Sequence, residues 1–239
     1  MELIFVRHGE PVSVRTAGEP ADPPLSERGS WQADRVSRWL AAEPVDALVT
    51  SNKTRAQQTV APLAAQRALA PRVVADLDEI DRRAPIYAPI QHLAREFPDY
   101  WQKIVDQRWD EIGWDAPEVF RDRVLAAYEA LVRERPGERV VVGCHGGVIG
   151  VVLSHVVGVA TPFAFANLPF ASISRVVVDA NGRAQVRSIS EVGHFDATRT
   201  RVVGPDGEGF AGRGWQDAAR ELGNGAPQRA HDGEDAHGD

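Results

Sequence analysis

The sequence predicts an α/β fold of three layers, α/β/α, in which helices cover both faces of a mostly parallel β-sheet. The prediction depends on three short apolar runs and on the helical pattern that comes after each of them. The runs are Leu3–Val6, Ala47–Val49 and Val140–Val142. None of them alternates with polar residues, which is typical of strands that are buried on both faces. Strands that alternate with helices in this way form crossover units around a parallel sheet.

The helical patterns have clear beginnings and ends. Ser26 is a suitable N-cap for a helix that continues to about Leu40, and the stretch Lys53–Ala68, rich in Ala and Gln, predicts a second helix. A third helix carries one apolar stripe over residues 120–131 and is expected to end before Pro136.

Two further stretches depart from this simple alternation. Residues 82–116 contain three prolines and three tryptophans, which predicts a helical excursion from the sheet in which the tryptophans pack locally. Ile173–Val178 and Gln185–Ile189 predict two late strands, joined by a turn at Asn181-Gly182.

The chain of 239 residues is expected to form one large domain, residues 1–222, and then a tail, residues 223–239. From Asn224 onward the sequence has no Leu, Ile, Val, Met or aromatic residue, and it has one arginine against four acidic residues. Such a segment cannot bury enough apolar surface to fold. We therefore expect the tail to be acidic and disordered.

Composition argues against several classes of protein. The 27 basic and 34 acidic residues give a net charge of -7, which argues against nucleic-acid binding. No apolar stretch approaches the length of a membrane span, and residues 1–7 lack the features of a signal peptide. The single cysteine, Cys144, leaves no internal disulfide framework and no cysteine-based zinc site. A cytoplasmic location is expected, and the preference for arginine over lysine suggests a bacterial genome.

Charged and imidazole side chains come directly after all three apolar runs. Arg7 and His8 come after the first, Arg55 lies just beyond the second, and His145 comes after the third, with Gly146 next to it. In open parallel sheets, ligands bind in the crevice outside the carboxyl ends of the strands. Two histidines and two arginines are therefore expected to meet there.

These residue types suit phosphoryl transfer. Two guanidinium groups can hold several oxygens of a phosphate dianion in bidentate fashion. Arg55 falls in the first turn of its predicted helix and Gly146 opens another, so that helix N-termini would add to the anion site. An imidazole among positive charges is biased toward its neutral, nucleophilic form. Because the arginines can neutralise the phosphoryl charge, neither a metal nor another cofactor is expected.

Five segments occur in the order and spacing of a known family. They are Arg7–Glu10, Pro24–Ala33, Ser51–Thr59, Leu77–Ile80 and His145–Ile149. In these segments the sequence resembles the histidine phosphatase superfamily, which has a phosphoglycerate-mutase-like fold, over nearly all of residues 1–195. His194 falls near a further histidine that is common at the end of that fold.

The resemblance implies a role for each of five side chains. His8 would be the nucleophile that forms a phosphohistidine, and Arg7, Arg55 and His145 would bind the transferring phosphoryl group. Glu79 would give a proton to the leaving oxygen and then help to activate water, since an unprotonated alkoxide is a poor leaving group.

Further phosphate contacts are expected next to these residues. Gly9 and Gly146 adjoin the two histidines and are expected to line the phosphate site. Val14 stands where the family often has asparagine, so that Ser13 offers the nearby hydroxyl.

The identity of the acid has alternatives. Arg83 stands where the family commonly has a glycine. Asp76, Asp78 and Asp81 are therefore competitors of Glu79.

The resemblance implies a metal-independent phosphomonoesterase that acts on a small phosphate ester through a phosphohistidine. The long segments of mutase type are lacking, which favours hydrolysis over isomerisation. One alternative is a phosphotransferase of the mutase type. A second is a binding or regulatory module that has kept the fold and lost useful turnover, an alternative that Val14 and Arg83 keep open.

Overall fold

The structure, a computed structural model, describes residues 1–88, 90–161, 164–165 and 167–195. Its strands are β1 (Glu2–Arg7), β2 (Val14–Arg15), β3 (Ala47–Thr50), β4 (Arg72–Val73), β5 (Ile86–Tyr87), β6 (Arg139–Cys144), β7 (Ile173–Val178) and β8 (Ala184–Glu191). Its α-helices are α1 (Glu27–Leu40), α2 (Thr54–Arg67), α3 (Ile90–Glu96), α4 (Pro98–Val105), α5 (Trp109–Ile112), α6 (Pro117–Glu134) and α7 (Gly146–Val157). A 3₁₀ turn spans Ala75–Leu77.

Six of the strands form one sheet in the order β4-β3-β6-β1-β7-β8. The first four are parallel to one another, whereas β7 runs antiparallel to β1 and β8 antiparallel to β7. The predicted mostly parallel sheet is therefore confirmed, and so are the two late strands at its edge. β1 and β6 lie side by side in the middle, which brings their carboxyl ends together.

Alternate residues of the central strands face opposite layers of helices. Leu3 and Phe5 of β1 belong to a core that α6 and α7 cover, whereas Ile4 and Val6 belong to a core that α1 and α2 cover. Because both faces are buried, these strands have no polar alternation. The three layers predicted from the apolar runs are confirmed.

Local signals place the helices around the sheet. The Ser26 hydroxyl oxygen accepts a 3.0 Å hydrogen bond from the Gly29 N–H, as an N-cap does, and α1 ends at Leu40. The strands β2, β4 and β5 contain two residues each and were not predicted. β2 and β5 form a separate antiparallel ladder in which Val14 pairs with Tyr87.

The segment 82–116 forms α3, α4 and α5 and has a small apolar core of its own. In this core the rings of Trp109 and Trp114 stack with centroids 6.0 Å apart. The Trp114 indole N–H donates a 2.8 Å hydrogen bond to the Tyr100 hydroxyl. The excursion is helical as predicted, apart from β5 at its beginning.

The described residues all fall within one compact unit. Residues 196–222 of the predicted domain and the predicted tail, residues 223–239, lie outside the described part of the chain. Among the helices that are described, none combines the length and the apolar character that crossing a membrane requires.

Candidate active site

The two histidines at the ends of neighbouring strands lie against each other. His8 comes directly after β1 and His145 directly after β6, and their ring centroids are 5.1 Å apart at an interplanar angle of 61°. The His8 N–H donates a 2.8 Å hydrogen bond to the carbonyl oxygen of Cys144, which continues the β1–β6 pairing up to the site. Both histidines are buried.

One ring nitrogen of His8 is engaged by the backbone. Nδ1 lies 2.8 Å from the carbonyl oxygen of Gly9 and therefore donates to it, which leaves Nε2 with its lone pair. Burial holds the pKa of His8 well below its usual value of 6.5, and the charges of Arg55 and Arg7 lower the pKa further. From the sequence we expected the arginines to keep His8 neutral, whereas burial contributes more. A neutral imidazole with a free nitrogen can act as a nucleophile.

His145 is the N-cap of α7, and Ser51 holds its ring. Nε2 of His145 lies 2.7 Å from the Ser51 hydroxyl oxygen, which also accepts a 3.2 Å hydrogen bond from the Lys53 N–H. The hydroxyl can donate its proton to Nε2, and in that neutral tautomer Nδ1 carries the imidazole proton. Burial is the main reason that the pKa of His145 lies well below its usual value, and Arg55 contributes next.

Arg55 is fully buried in the first turn of α2. Nη2 lies 3.5 Å from a carboxylate oxygen of Asp81, and Nη1 lies 4.0 Å from one of Asp22. Arg7 packs on Phe170, with its Cζ 4.2 Å from the centroid of the ring, and Nη1 donates to the carbonyl oxygen of Leu168.

Several buried nitrogen donors at this site have no hydrogen-bond partner among the described residues. They are Nε of Arg7, Nε and Nη1 of Arg55, and Nδ1 of His145. Buried donors are ordinarily satisfied, and guanidinium groups bind anions that offer several oxygens. The arrangement therefore fits a tetrahedral oxyanion beside His8.

Glu79 reaches the same region from the loop after the 3₁₀ turn. The Gly147 N–H in the first turn of α7 donates a 2.9 Å hydrogen bond to Oε2, and the Ile80 N–H donates a 3.0 Å hydrogen bond to Oε1. Burial raises the pKa of Glu79, and the nearby Asp81 raises it further. A carboxyl group whose pKa is raised can hold the proton that a general acid must deliver.

A buried ion pair anchors the loop that carries Glu79. The Arg123 guanidinium, on α6, donates hydrogen bonds to the carbonyl oxygens of Asp76, Asp78 and Glu79 at 2.7, 2.8 and 3.3 Å. The same guanidinium donates a 2.9 Å hydrogen bond to Asp115, which is 2 % exposed. Sequence reasoning missed this pair, because the partners lie far from the loop along the chain.

The three competing aspartates occupy different surroundings from Glu79. Asp76 is exposed, the Asp78 carboxylate accepts a 2.7 Å hydrogen bond from the Asn52 N–H, and Asp81 lies beside Arg55. Arg83, which replaces the expected glycine, donates to Asp115 at 3.4 Å. Glu79 alone among these four acids accepts a hydrogen bond from the start of α7.

The remaining residues of the predicted phosphate site are Gly9, Ser13 and Gly146, and each has different surroundings. The Gly9 N–H donates a 2.9 Å hydrogen bond to the Thr59 hydroxyl oxygen, and Ser13 is exposed, with no side-chain hydrogen bond to another described residue. A Cβ on Gly146 would lie 3.4 Å from Arg7 Nε, which shows that the Arg7 guanidinium lies against the start of α7. Phosphate binding by Gly9, Ser13 and Gly146 stays a prediction.

His194 lies behind the site. Its Nε2 donates a 2.9 Å hydrogen bond to the carbonyl oxygen of Ala171, and the Ala171 N–H donates to the carbonyl oxygen of His8 at 3.1 Å. His194 therefore supports the loop beside His8 without facing the oxyanion site.

Two aromatic residues of the site were not predicted. Tyr87 lies under Arg55, with the guanidinium Cζ 4.3 Å from the ring centroid, and Phe170 lies 5.5 Å from His8 between ring centroids. Tyr87 lies in a two-residue strand and Phe170 in a turn, and elements this short have no periodic pattern that would mark them in the sequence. Within the described part of the chain, no group of three or more His, Cys, Asp or Glu residues is arranged to hold a metal ion.

The sequence model of one family matches most of the chain. This family is the histidine phosphatase superfamily, branch 1, and the match covers residues 3–190. The chain belongs to this superfamily. The predicted family is confirmed, and membership identifies the chain as a histidine phosphatase. No curated protein matches it significantly.

Solved structures of other phosphatases have the same phosphoglycerate-mutase-like fold as this histidine phosphatase. The α-ribazole phosphatase of Shigella flexneri is 19% identical with a TM-score of 0.63, and the match covers 80% of this chain and 96% of that one. A phosphoserine phosphatase mutant from Entamoeba histolytica, in complex with phosphoserine, is 16% identical with a TM-score of 0.65, covering 82% and 99%. A mycobacterial glucosyl-3-phosphoglycerate phosphatase with inorganic phosphate is 19% identical with a TM-score of 0.63, covering 82% and 99%.

Proposed function

We propose that this histidine phosphatase is a metal-independent phosphomonoesterase that hydrolyses a small phosphorylated substrate through a phosphohistidine on His8. One observation carries the proposal: two neutral, buried imidazoles lie side by side, within reach of two arginines whose buried donors lack partners among the described residues. The small substrate is supported by the phosphoserine bound to the Entamoeba histolytica enzyme.

In the first half-reaction, Nε2 of His8 attacks phosphorus and the bond from phosphorus to the ester oxygen breaks. Glu79 gives its proton to the departing oxygen, so that an alcohol leaves rather than an alkoxide. Arg7, Arg55 and His145 donate hydrogen bonds to the non-bridging oxygens. Their positions are fixed before the reaction begins, so that they stabilise the developing charge without reorganisation.

In the second half-reaction, water attacks phosphorus and the bond from phosphorus to Nε2 breaks. The Glu79 carboxylate takes the proton of the attacking water, which restores the acid for the next turnover. Inorganic phosphate then leaves and His8 is neutral again. The two arginines supply the positive charge throughout, and the cycle therefore requires no metal ion.

The decisive experiment traps the intermediate. Rapid acid quenching is unsuitable because phosphohistidine is acid-labile, so the enzyme is quenched in base after mixing with ³²P-labelled substrate. Label is expected on His8 in the wild type and on no residue in His8→Ala, which should also lose turnover. His155→Ala is the matched control, since His155 is an exposed residue near the other end of α7. Turnover of His8→Ala within about tenfold of the wild type would exclude the covalent mechanism.

The same preparation distinguishes the alternatives. A hydrolase releases inorganic phosphate from p-nitrophenyl phosphate with and without chelator, whereas a mutase would retain the label and pass it to a second substrate in the presence of a bisphosphate primer. A binding or regulatory module would take up substrate with no turnover in the wild type.

A further inference from the structure

Tyr87 is held rigidly beside the two arginines and the nucleophile. Its strand, β5, pairs with β2, so that Tyr87 lies opposite Val14 in the ladder. The centroid of its ring lies 4.3 Å from the Arg55 Cζ and 6.4 Å from the centroid of the His8 ring. Tyr87 is only 8% exposed. Backbone pairing on one side and a cation–π contact on the other therefore fix where the phenol lies.

The hydroxyl of Tyr87 makes no hydrogen bond to another described residue, and its oxygen is not one of the fully buried atoms that lack a partner, so that it is accessible to a ligand. Tyr100, in the apolar core of segment 82–116, is equally buried and behaves differently: its hydroxyl donates to the Ile112 carbonyl oxygen at 3.0 Å and accepts from the Trp114 indole at 2.8 Å. A phenol in such surroundings ordinarily has a partner. The protein satisfies the Tyr100 hydroxyl and leaves the Tyr87 hydroxyl available.

The charges around Tyr87 indicate which partner is missing. The ring lies against Arg55 and beside His8, and Arg55, Asp81, Arg7 and Glu79 all influence the pKa of the phenol. Burial raises the pKa of Tyr87 to about 12, so that the phenol keeps its proton at neutral pH and can donate it to an acceptor. The oxyanion that fits between Arg7 and Arg55 is such an acceptor.

We propose that the Tyr87 hydroxyl donates a hydrogen bond to a non-bridging oxygen of the phosphoryl group, which makes Tyr87 a further substrate-contacting residue of this enzyme. The inference rests on the proposed function, because it takes the same phosphate site. A neutral donor that the ladder and Arg55 hold in place binds the oxyanion without adding a further buried charge.

The test compares two tyrosine variants that differ in where the lost hydroxyl was used. Tyr87→Phe keeps the ring on Arg55 and removes only the free hydroxyl. We expect an unchanged Tm, a rise of about 10- to 100-fold in the inhibition constant of inorganic phosphate, and a fall of similar size in kcat/KM for p-nitrophenyl phosphate. Tyr100→Phe should lower Tm, because it breaks two internal hydrogen bonds, and leave the phosphate inhibition constant unchanged.

Two results would overturn the inference. One is a Tyr87→Phe enzyme whose phosphate inhibition and kcat/KM stay within about twofold of the wild type. The other is a Tyr87→Phe enzyme that loses as much Tm as Tyr100→Phe, because the hydroxyl would then have a structural partner. The trapping experiment tests the proposed function independently of this inference. If no label appears on His8 of the wild type, the phosphohistidine is contradicted, and the inhibition constant of inorganic phosphate still shows whether Tyr87 binds phosphate.

Discussion

The Gly147 N–H donates a 2.9 Å hydrogen bond to Oε2 of Glu79, and the absence of a side chain at residue 147 leaves room for the carboxyl group in this position. A Cβ at this position would overlap Oε1 of the same carboxyl group. The Glu79 carboxyl group therefore contacts the backbone of the first turn of α7, where the N–H groups have no partners within the helix.

Replacing Gly147 by alanine is expected to displace the Glu79 carboxyl group while leaving it in the protein. Turnover of an alkyl phosphate should fall at least about tenfold, because proton transfer contributes roughly 10²–10⁴-fold to such a step. Steady-state kinetics with an alkyl phosphate measures the effect. Ser154→Ala on the same helix is the control and should be neutral, since the buried Ser154 hydroxyl has no hydrogen-bond partner among the described residues. An alanine variant with wild-type kinetics would mean that the hydrogen bond from Gly147 is not needed to position the Glu79 carboxyl group.

Glu79→Gln is expected to affect substrates according to their leaving groups. An alkyl phosphate departs as a strongly basic alkoxide and should lose about 10²–10⁴-fold in kcat, whereas p-nitrophenolate leaves without a proton and should lose clearly less. The measurement is kcat for both esters. Asp76→Asn is the matched control, because Asp76 lies in the same loop with its side chain exposed. Equal losses on both esters, or leaving-group dependence in the control, would assign the acid to another residue.

Arg55→Lys is expected to cost about 2–4 kcal/mol of transition-state stabilisation although the charge is kept. A lysine ammonium cannot stack on Tyr87 as a planar guanidinium does, and its donors share one nitrogen instead of forming a planar fork for the phosphoryl group. The ratio of kcat/KM between wild type and variant gives the value. Arg72→Lys should be nearly silent, because Arg72 forms an exposed ion pair with Glu134. If Arg55→Lys lowers kcat/KM by less than about fivefold, the planar fork of the Arg55 guanidinium is not used.

His194 is expected to make the fold sensitive to acid. Burial is the main reason that its pKa falls from 6.5 to about 4, and its buried Nδ1 has no acceptor among the described residues to receive a second N–H. Between these two pH values the unfolded chain binds a proton at this residue that the folded protein does not. Stability therefore decreases as the pH falls, by up to about 1.4 kcal/mol per pH unit from this residue.

Urea unfolding of the wild type and of His194→Gln at pH 7, 6 and 5 measures this dependence. The free energy of unfolding should fall less steeply with decreasing pH in His194→Gln than in the wild type. In His155→Gln, which changes an exposed residue, it should fall as it does in the wild type. His8 and His145 are present in all three proteins and contribute equally. Parallel curves for wild type and His194→Gln would mean that His194 is not held neutral.

The sequence was most informative about the site residues that come after strands buried on both faces. The apolar runs that form β1 and β6 predicted that His8 and His145 lie at the carboxyl ends of strands, whereas the adjacency of these two strands is known only from the structure. Tyr87 could not be found in this way, because a two-residue strand carries no periodic pattern. The pair Asp115–Arg123 could not be found either, because its contact with the acid loop depends on how α6 packs against that loop.

Asp115 also connects segment 82–116 with the loop that carries Glu79. It lies at the end of segment 82–116, beside the helices α3, α4 and α5, and through Arg123 it supports the loop of Glu79. Arg82 and Arg83, at the beginning of the same segment, bind the same carboxylate. Both ends of the segment and the loop of Glu79 are therefore held by one buried carboxylate. An insertion or deletion within segment 82–116 that moves Asp115 should therefore also displace Glu79, although Glu79 lies outside the segment.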